Sequence, residues 1–371
     1  MTTKPIGLYV HIPFCVRKCS YCDFCSYPES GISPDKRAAY IKALLSEIRG
    51  YERTERICVD TVFFGGGTPS LLEPVELEMI LNEIRSVFSV LPSAEITLEA
   101  NPGTITERKL VSYKSLGVNR LSIGVQSIHD NELKKLGRIH SREDFLAGYR
   151  MARAAGFDNV SVDLMYGIPE QTVSSFEKTL DTVIALSPEH ISAYGLIVEE
   201  GTPFYTMRDN LMLPDEDAEC DMYELAASKL SAAGYSHYEI SNYAKEGRAS
   251  RHNLHYWRRD EYVGVGVAAH SYFDDVRYSN PESMDDYLNG GLSQRDEDVD
   301  GSFEKAMLAL RLAEGLSLSE YEKEFSHSFT EGREASISRY VSLGYMTLNG
   351  DRLALTDSGM YVSNAILSDL L

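Results

Sequence analysis

The chain has 371 residues, 43% of them hydrophobic, with 56 acidic against 36 basic side chains and a formal net charge of −20. That length suits one large domain with a smaller companion, and no run approaches the roughly 18 apolar residues that span a membrane. The acidic excess argues against nucleic acid or anionic lipid as nonspecific partners, because phosphate binding depends on Lys and Arg displacing counterions.

The first informative run is GLYVHIPFCVRKCSYCDFCSY, an apolar strand leading into Cys15, Cys19 and Cys22, with Tyr21 just before the third thiol. Three thiolates on one short loop hold three irons of a 4Fe-4S cluster and leave the fourth iron open to a small chelating molecule. Zinc competes with this reading because Cys25 follows. Structural zinc sites, however, usually draw ligand pairs from separated knuckles, and no distant Cys pair is present to complete one. Only Cys58 and Cys220 remain, both isolated, and no signal peptide precedes the loop. A reduced, cytoplasmic chain is expected, not a disulfide framework.

From residue 1 to about 235, strand-like runs alternate with amphipathic helical stretches. GLYVHI, CVDTVFF, EITLEA, NRLSIGV, NVSVDLMYG and HISAYGL are the strands, followed by helical segments such as DKRAAYIKALLSEIRGY and SSFEKTLDTVIAL. Six such units predict an α/β fold, a partial (β/α)6 TIM-like barrel with reactive groups at the C-terminal strand ends. Gly65-Gly66-Gly67-Thr68-Pro69 follows the second strand as a loop without side-chain bulk, where backbone approaches a ligand closely or simply turns. Glu99, Gln126 and Asp163 end the third, fourth and fifth apolar runs, and such polar ends converge on one barrel mouth. Arg138, in LGRIH, offers a planar cation for a ligand carboxylate.

Past the barrel, RHNLHYWRRD holds His252, Asn253, His255, Tyr256 and Trp257, the one tryptophan. Neutral imidazole is a good axial ligand for heme iron and aromatic rings cover a porphyrin face, though the same residues also anchor a linker. His252 is the first choice as ligand; His255, three residues on, is the fallback. EYVGVGVAAHSY reads as a glycine-rich strand or turn in which His270 is buried near the barrel mouth. From 301 to 371, helical runs lead to the hairpin MTLNGDRLALT with Asn349-Gly350 at its turn, a winged-helix-like α+β domain. Ten acidic against six basic residues there argue for packing or protein docking, not DNA binding. The predicted division is thus 1–235, a connecting segment 236–300, and 301–371.

The cysteine spacing CxxxCxxC resembles the signature of the radical S-adenosylmethionine (SAM) superfamily. YVHIPFCVRKCSYC, FFGGGTPS, EITLEANPGT, RLSIGVQS, LGRIH and DLMYGIP occur in the order found in its HemN and HemW branch. The resemblance implies a 4Fe-4S cluster on Cys15, Cys19 and Cys22, with SAM on the open iron. It also implies SAM contacts from Tyr9, Gly66, Gly67, Thr68, Glu99, Gln126, Arg138 and Asp163. In this superfamily, reduction of the cluster splits the sulfonium and releases a deoxyadenosyl radical, chemistry that belongs to the cofactors.

Two activities are compatible with that fold. Oxygen-independent coproporphyrinogen III oxidases carry CxxxCxxCxC and decarboxylate propionates. Heme chaperones of the HemW type have phenylalanine at the fourth cysteine position, as this chain does at Phe24. Cys25 lies one residue out of register and reads as an incidental small hydrophobe. RHNLHYW also fits the HNxxYW motif of the chaperones. The resemblance therefore implies a protein that binds heme and passes it from a donor to respiratory hemoproteins, with homodimerisation and protein-mediated membrane association as further expectations. Coproporphyrinogen oxidation is the alternative, and a SAM-dependent enzyme with an unrelated substrate is the outsider.

Overall fold

The computed structural model describes residues 4–291, 293–296 and 300–371. The first unit is built as the alternation predicts. Strand β1 (Ile6–Ile12) is followed by helix α1 (Pro34–Arg49), β2 (Cys58–Gly66), α2 (Pro74–Val87), β3 (Ser89–Ala100) and α3 (Glu107–Ser115). Then come β4 (Arg120–Gln126), α4 (Asp130–Leu136), α5 (Arg142–Ala154), β5 (Val160–Tyr166), α6 (Val173–Leu186), β6 (His190–Gly195) and α7 (Glu216–Ala232). Helix starts are chemically marked: the hydroxyls of Ser33, Thr106, Ser141 and Thr172 each accept a first-turn backbone N–H. Each such cap stabilises its helix by about 1 kcal/mol.

Strands β1 to β6 pair in parallel, in chain order. The pleat sends alternate residues to opposite faces. Leu8, Val10, Val62, Phe64, Leu98, Leu121, Ile123, Val162, Leu164 and Ile191 face outward into the main core, where the helices contribute Leu44, Ile80, Phe145, Phe176 and Leu180. Their neighbours face inward, and many of these are polar or small: Glu99, Arg120, Ser122, Gly124, Asp163, His190 and Ser192. A TIM barrel fills its interior with bulky branched side chains. Here the inward set leaves an interior that is polar and hollow.

The sheet does not end with β6. The segment after 235 supplies β7 (Ser236–Glu239) and β8 (Asn242–Ala244), helix α8 (Arg251–Trp257), then β9 (Tyr262–Val265), β10 (His270–Phe273), β11 (Val276–Ser279), α9 (Met284–Leu288) and β12 (Gln294–Asp296). The resulting order is β12-β11-β10-β9-β1-β2-β3-β4-β5-β6-β8-β7, twelve strands in one sheet. β8 runs antiparallel to β6 at one side, and β9 runs parallel to β1 at the other. Helix α8 therefore passes between the two flanks of the partial barrel. His270 differs from expectation: it begins β10 with its side chain exposed, because this hairpin lies outside β9 on the flank of the sheet.

The remaining chain forms α10 (Gly301–Ala309), β13 (Leu316–Ser317), α11 (Leu318–Phe325), α12 (Glu334–Ser342), the hairpin β14 (Met346–Asn349) and β15 (Arg352–Leu355), α13 (Asp357–Tyr361) and α14 (Ser363–Leu370). Five helices and a three-stranded sheet make a winged-helix-like arrangement, with its own core of Leu310, Phe329, Ile337, Leu353 and Ile366. It joins the barrel through Asp357, whose carboxylate pairs with His237 at 2.7 Å and whose carbonyl accepts from Tyr223 at 3.0 Å.

Candidate functional site

A cavity of about 630 Å³ runs inside the barrel, bordered by Cys15, Cys19 and Cys22 at the mouth and by His190, Asn242 and Asn253 at its far end. The cysteine loop is held in place by two other mouth loops. Ser20 N–H donates to Leu136 O, and Arg17 donates to Gly137 O at 2.7 Å, tying it to the LGRIH turn. Gly67 N–H donates to Ile12 O and Thr68 N–H to Phe14 O, both at 2.8 Å, tying the glycine loop to the strand that enters the cysteines.

The glycines there are obligatory. Gly66 has φ +109, and a Cβ on it would lie 2.5 Å from the His11 imidazole. A Cβ on Gly67 would lie 2.7 Å from Phe14 O. Gly66 N–H donates to Glu99 Oε2 at 3.2 Å, which aims that carboxyl into the cavity.

Burial holds two of the thiols in their neutral form. Burial pushes the Cys22 thiol up to about 11 and raises Cys15 as well. Arg138 Nη1 approaches Cys19 Sγ at 3.7 Å, and Thr68 Oγ1 approaches Cys15 Sγ at 3.5 Å. Among the described residues no three His, Cys, Asp or Glu side chains gather closely enough for a single metal ion. Three soft thiols spread along one cavity edge, each free to take a different iron, fit a cluster better than a mononuclear site.

Two buried polar atoms mark the wall as one that receives a ligand. Gln126 Oε1 and Arg138 Nε have no hydrogen-bond partner among the described residues. Gln126 also adopts φ +61, a left-handed backbone that a bulky residue holds only under constraint. Asp163 accepts from the hydroxyls of Ser122, Ser161 and Ser192. Burial raises its pKa despite those bonds. Glu99 is pushed up to about 8, first by burial and then by the Asp163 charge. Both groups lie deep in the protein yet keep a face on the cavity, so water there moderates the full burial penalty.

Of the predicted residues, Cys15, Cys19, Cys22, Gly66, Gly67, Thr68, Glu99, Gln126, Arg138 and Asp163 all border this one cavity. Tyr9 and His252 do not. Tyr9 stacks on Phe63 behind the wall and its hydroxyl bonds His11 Nδ1 at 3.0 Å. His252, 1% exposed, bonds Thr61 Oγ1 at 2.8 Å through Nδ1 and Tyr256 Oη at 2.7 Å through Nε2. His255 Nε2 is bonded to Asp60 at 2.7 Å. Helix α8 is thus bolted beneath the barrel: Glu95 Oε1 accepts from Arg251 N and His252 N, while Arg251 reaches Ser93 O and Asp60. Asn253 alone of HNxxYW borders the cavity. Phe24 stands at the mouth 68% exposed, and Cys25 turns away to donate to Glu282 O at 3.2 Å. Sequence reading passed over Arg120, His190, Ser192, Tyr194 and Asn242, all on the cavity wall. Alternation within NRLSIGV and HISAYG was the available signal, since it puts polar residues on one face.

Two family profiles match separate stretches of the chain. The profile of the radical SAM superfamily matches residues 9–183, and that of the HemN C-terminal domain matches 300–362. The heme chaperone HemW of Escherichia coli K12 is 37% identical over 374 residues, covering 98% of this chain and 97% of the relative. HemW of Bacillus subtilis 168 is 35% identical, covering 98% of each. HemW of Mycobacterium tuberculosis H37Rv is 34% identical, covering 100% of this chain and 96% of that one. Among solved structures, coproporphyrinogen III oxidase (HemN) from Escherichia coli, a radical SAM enzyme, superposes with a TM-score of 0.84 at 23% identity, covering 99% of this chain and 90% of that one. That likeness establishes the fold.

Proposed function

The chain belongs to the radical SAM superfamily and, within it, to the family of HemW heme chaperones, and from that premise we propose that it binds heme and hands it to an acceptor hemoprotein. The observation that carries the reading is Phe24. Where the oxidase motif has a fourth thiol, this chain presents an exposed phenyl ring at the cavity mouth, and Ile197, also 68% exposed, borders the same cavity. Exposed apolar rings on a rim suit the covering of a flat macrocycle. Identity across the whole length to several heme chaperones supports the same reading.

Cys15, Cys19 and Cys22 are assigned as the cluster ligands. Gly66, Gly67, Thr68, Glu99, Gln126, Arg138 and Asp163 are assigned as the wall around SAM, with Tyr9 joining when its hydroxyl leaves His11. A 4Fe-4S cluster with SAM supplies one-electron chemistry at the mouth when bound. The chain's own residues do the rest. Arg138 offsets the negative charge of the thiolates, Gly66 and Gly67 admit a ligand against bare backbone, and Glu99 holds a proton near neutral pH. His252 is proposed as the heme ligand, on the condition that Tyr256 or Thr61 releases a ring nitrogen. The cluster and SAM belong to 1–235, the HNxxYW helix to 236–300 and docking to 301–371. No helix among the described residues is long and apolar enough to cross a membrane. Transfer to respiratory hemoproteins is assigned to protein–protein contact.

Anaerobically reconstituted protein titrated with heme is expected to develop a shifted Soret band, which the His252→Ala variant loses. The same protein given SAM, reductant and coproporphyrinogen III is expected to yield no protoporphyrinogen by mass. Turnover would establish the oxidase instead.

A further inference from the structure

The cysteine loop closes on itself. Phe14–Cys15 pairs in parallel with Tyr27–Pro28, and Tyr27 N–H donates to Pro13 O at 2.7 Å. The returning chain is fixed from both sides: His11 Nε2 bonds Cys25 O at 2.8 Å, and Tyr27 Oη donates to Glu282 O at 3.2 Å while accepting from Met284 N–H at 3.0 Å. This return sets Ser26 beside Cys15, and both border the cavity mouth. Ser26 is 8% exposed, and its hydroxyl faces the Cys15 thiol. The contact falls short of a formed hydrogen bond, and Ser26 Oγ is buried without a partner among the described residues.

Buried hydroxyls are normally hydrogen-bonded. A neutral thiol is a weak acceptor, whereas hydrogen bonds to an ionised group are short and strong. Of the three thiols at the mouth, Cys15 is the buried one, while Cys19 and Cys22 are partly exposed. Its sulfur therefore has the greatest need of donors once it carries charge, because little water reaches it. Thr68 Oγ1 already approaches it at 3.5 Å. The other two sulfurs have donors of their own: Arg138 Nη1 lies 3.7 Å from Cys19 Sγ, and Phe24 N–H serves Cys22.

We infer that Ser26 is a positioning residue for the iron site, its Oγ–H donating to the Cys15 sulfur when that sulfur ligates iron, a role that rests on Cys15, Cys19 and Cys22 being the cluster ligands. Cys15 then receives two hydroxyls, from Ser26 and from Thr68. Hydrogen bonds to ligand sulfurs withdraw negative charge and favour the reduced, more negative cluster, which raises its reduction potential. Ser26 thus sets the electron affinity of the site through Cys15, not through a molecule held in the cavity.

The test uses full-length wild type, Ser26→Ala and Ser26→Thr, reconstituted anaerobically with iron and sulfide and assayed for iron. Each is titrated with dithionite in the presence of redox dyes and the absence of SAM, and the reduced cluster is followed by its EPR signal. The titration reads the addition of one electron, given by dithionite, to the oxidised cluster. Ser26→Ala is expected to retain its iron, with the reduction equilibrium moved about tenfold towards the oxidised form, a midpoint about 59 mV lower. Ser26→Thr, which keeps the hydroxyl, titrates with wild type. An equal or higher midpoint in Ser26→Ala, or the same drop in both variants, overturns the inference and leaves the cluster assignment standing. Loss of iron from Ser26→Ala, alone or together with Ser26→Thr, makes the side chain a support of the loop fold and also overturns it. Wild type that takes up no iron removes the cluster assignment and, with it, the role of Ser26.

Discussion

Replacing Glu99 by Gln tests whether the cavity keeps an uncharged carboxyl near neutral pH. Glu99 is raised from an ordinary 4.5 to about 8 by burial and by Asp163. Its bond from Gly66 N–H, 3.2 Å long, survives in a glutamine amide oxygen. The sign follows from proton linkage. Between pH 4.5 and about 8 the unfolded chain has released this proton and the folded chain has not, so stability falls as pH rises through that window. At about 1.4 kcal/mol per unit, the full shift amounts to a cost of at most about 5 kcal/mol above pH 8. Cavity water reduces it, and about 2 kcal/mol is the expected size. Glu99→Gln has no proton to lose there. Urea midpoints of ligand-free wild type and variant, measured from pH 5 to 9, should diverge, with the variant relatively more stable at the alkaline end. Parallel profiles across that range would refute the placement of Glu99 as a proton-holding carboxyl.

Removal of cluster ligands should separate the four nearby cysteines. Cys19→Ser is expected to lose iron and the visible absorbance of the reconstituted protein, whereas Cys25→Ala, whose thiol faces Glu282 O, keeps both. Gly66→Ala is expected to lower stability by about 1–3 kcal/mol, because it forces a side chain into positive φ against His11. A thermal melt checks it, and an unchanged melting temperature would contradict the packing described.

The cysteine loop, glycine loop and strand-end polar residues were legible because each is a local pattern. Cys15, Cys19 and Cys22 sit within eight residues, and apolar runs closing on Glu99 and Gln126 announce strand ends without any long-range information, whereas Asp163 falls mid-strand in β5 and faces inward through the pleat. Helix α8 was legible as a motif but not as a location. Its position depends on Asp60, Thr61 and Glu95, more than 150 residues away in the chain. His252 consequently read as a free ligand, whereas folding surrounds it with Thr61 and Tyr256. His270 read as buried because its neighbours are apolar, and the outer flank of the sheet left it exposed.

Local residue order by itself determined the branch of the family, through three thiols at fixed spacing and Phe24 where a fourth would stand. Spacing within one loop survives any folding. Only the tertiary structure decided what lies inside the barrel. Arg120 is an unremarked strand residue until parallel register and pleat turn it inward onto the cavity wall with Glu99 and Asp163.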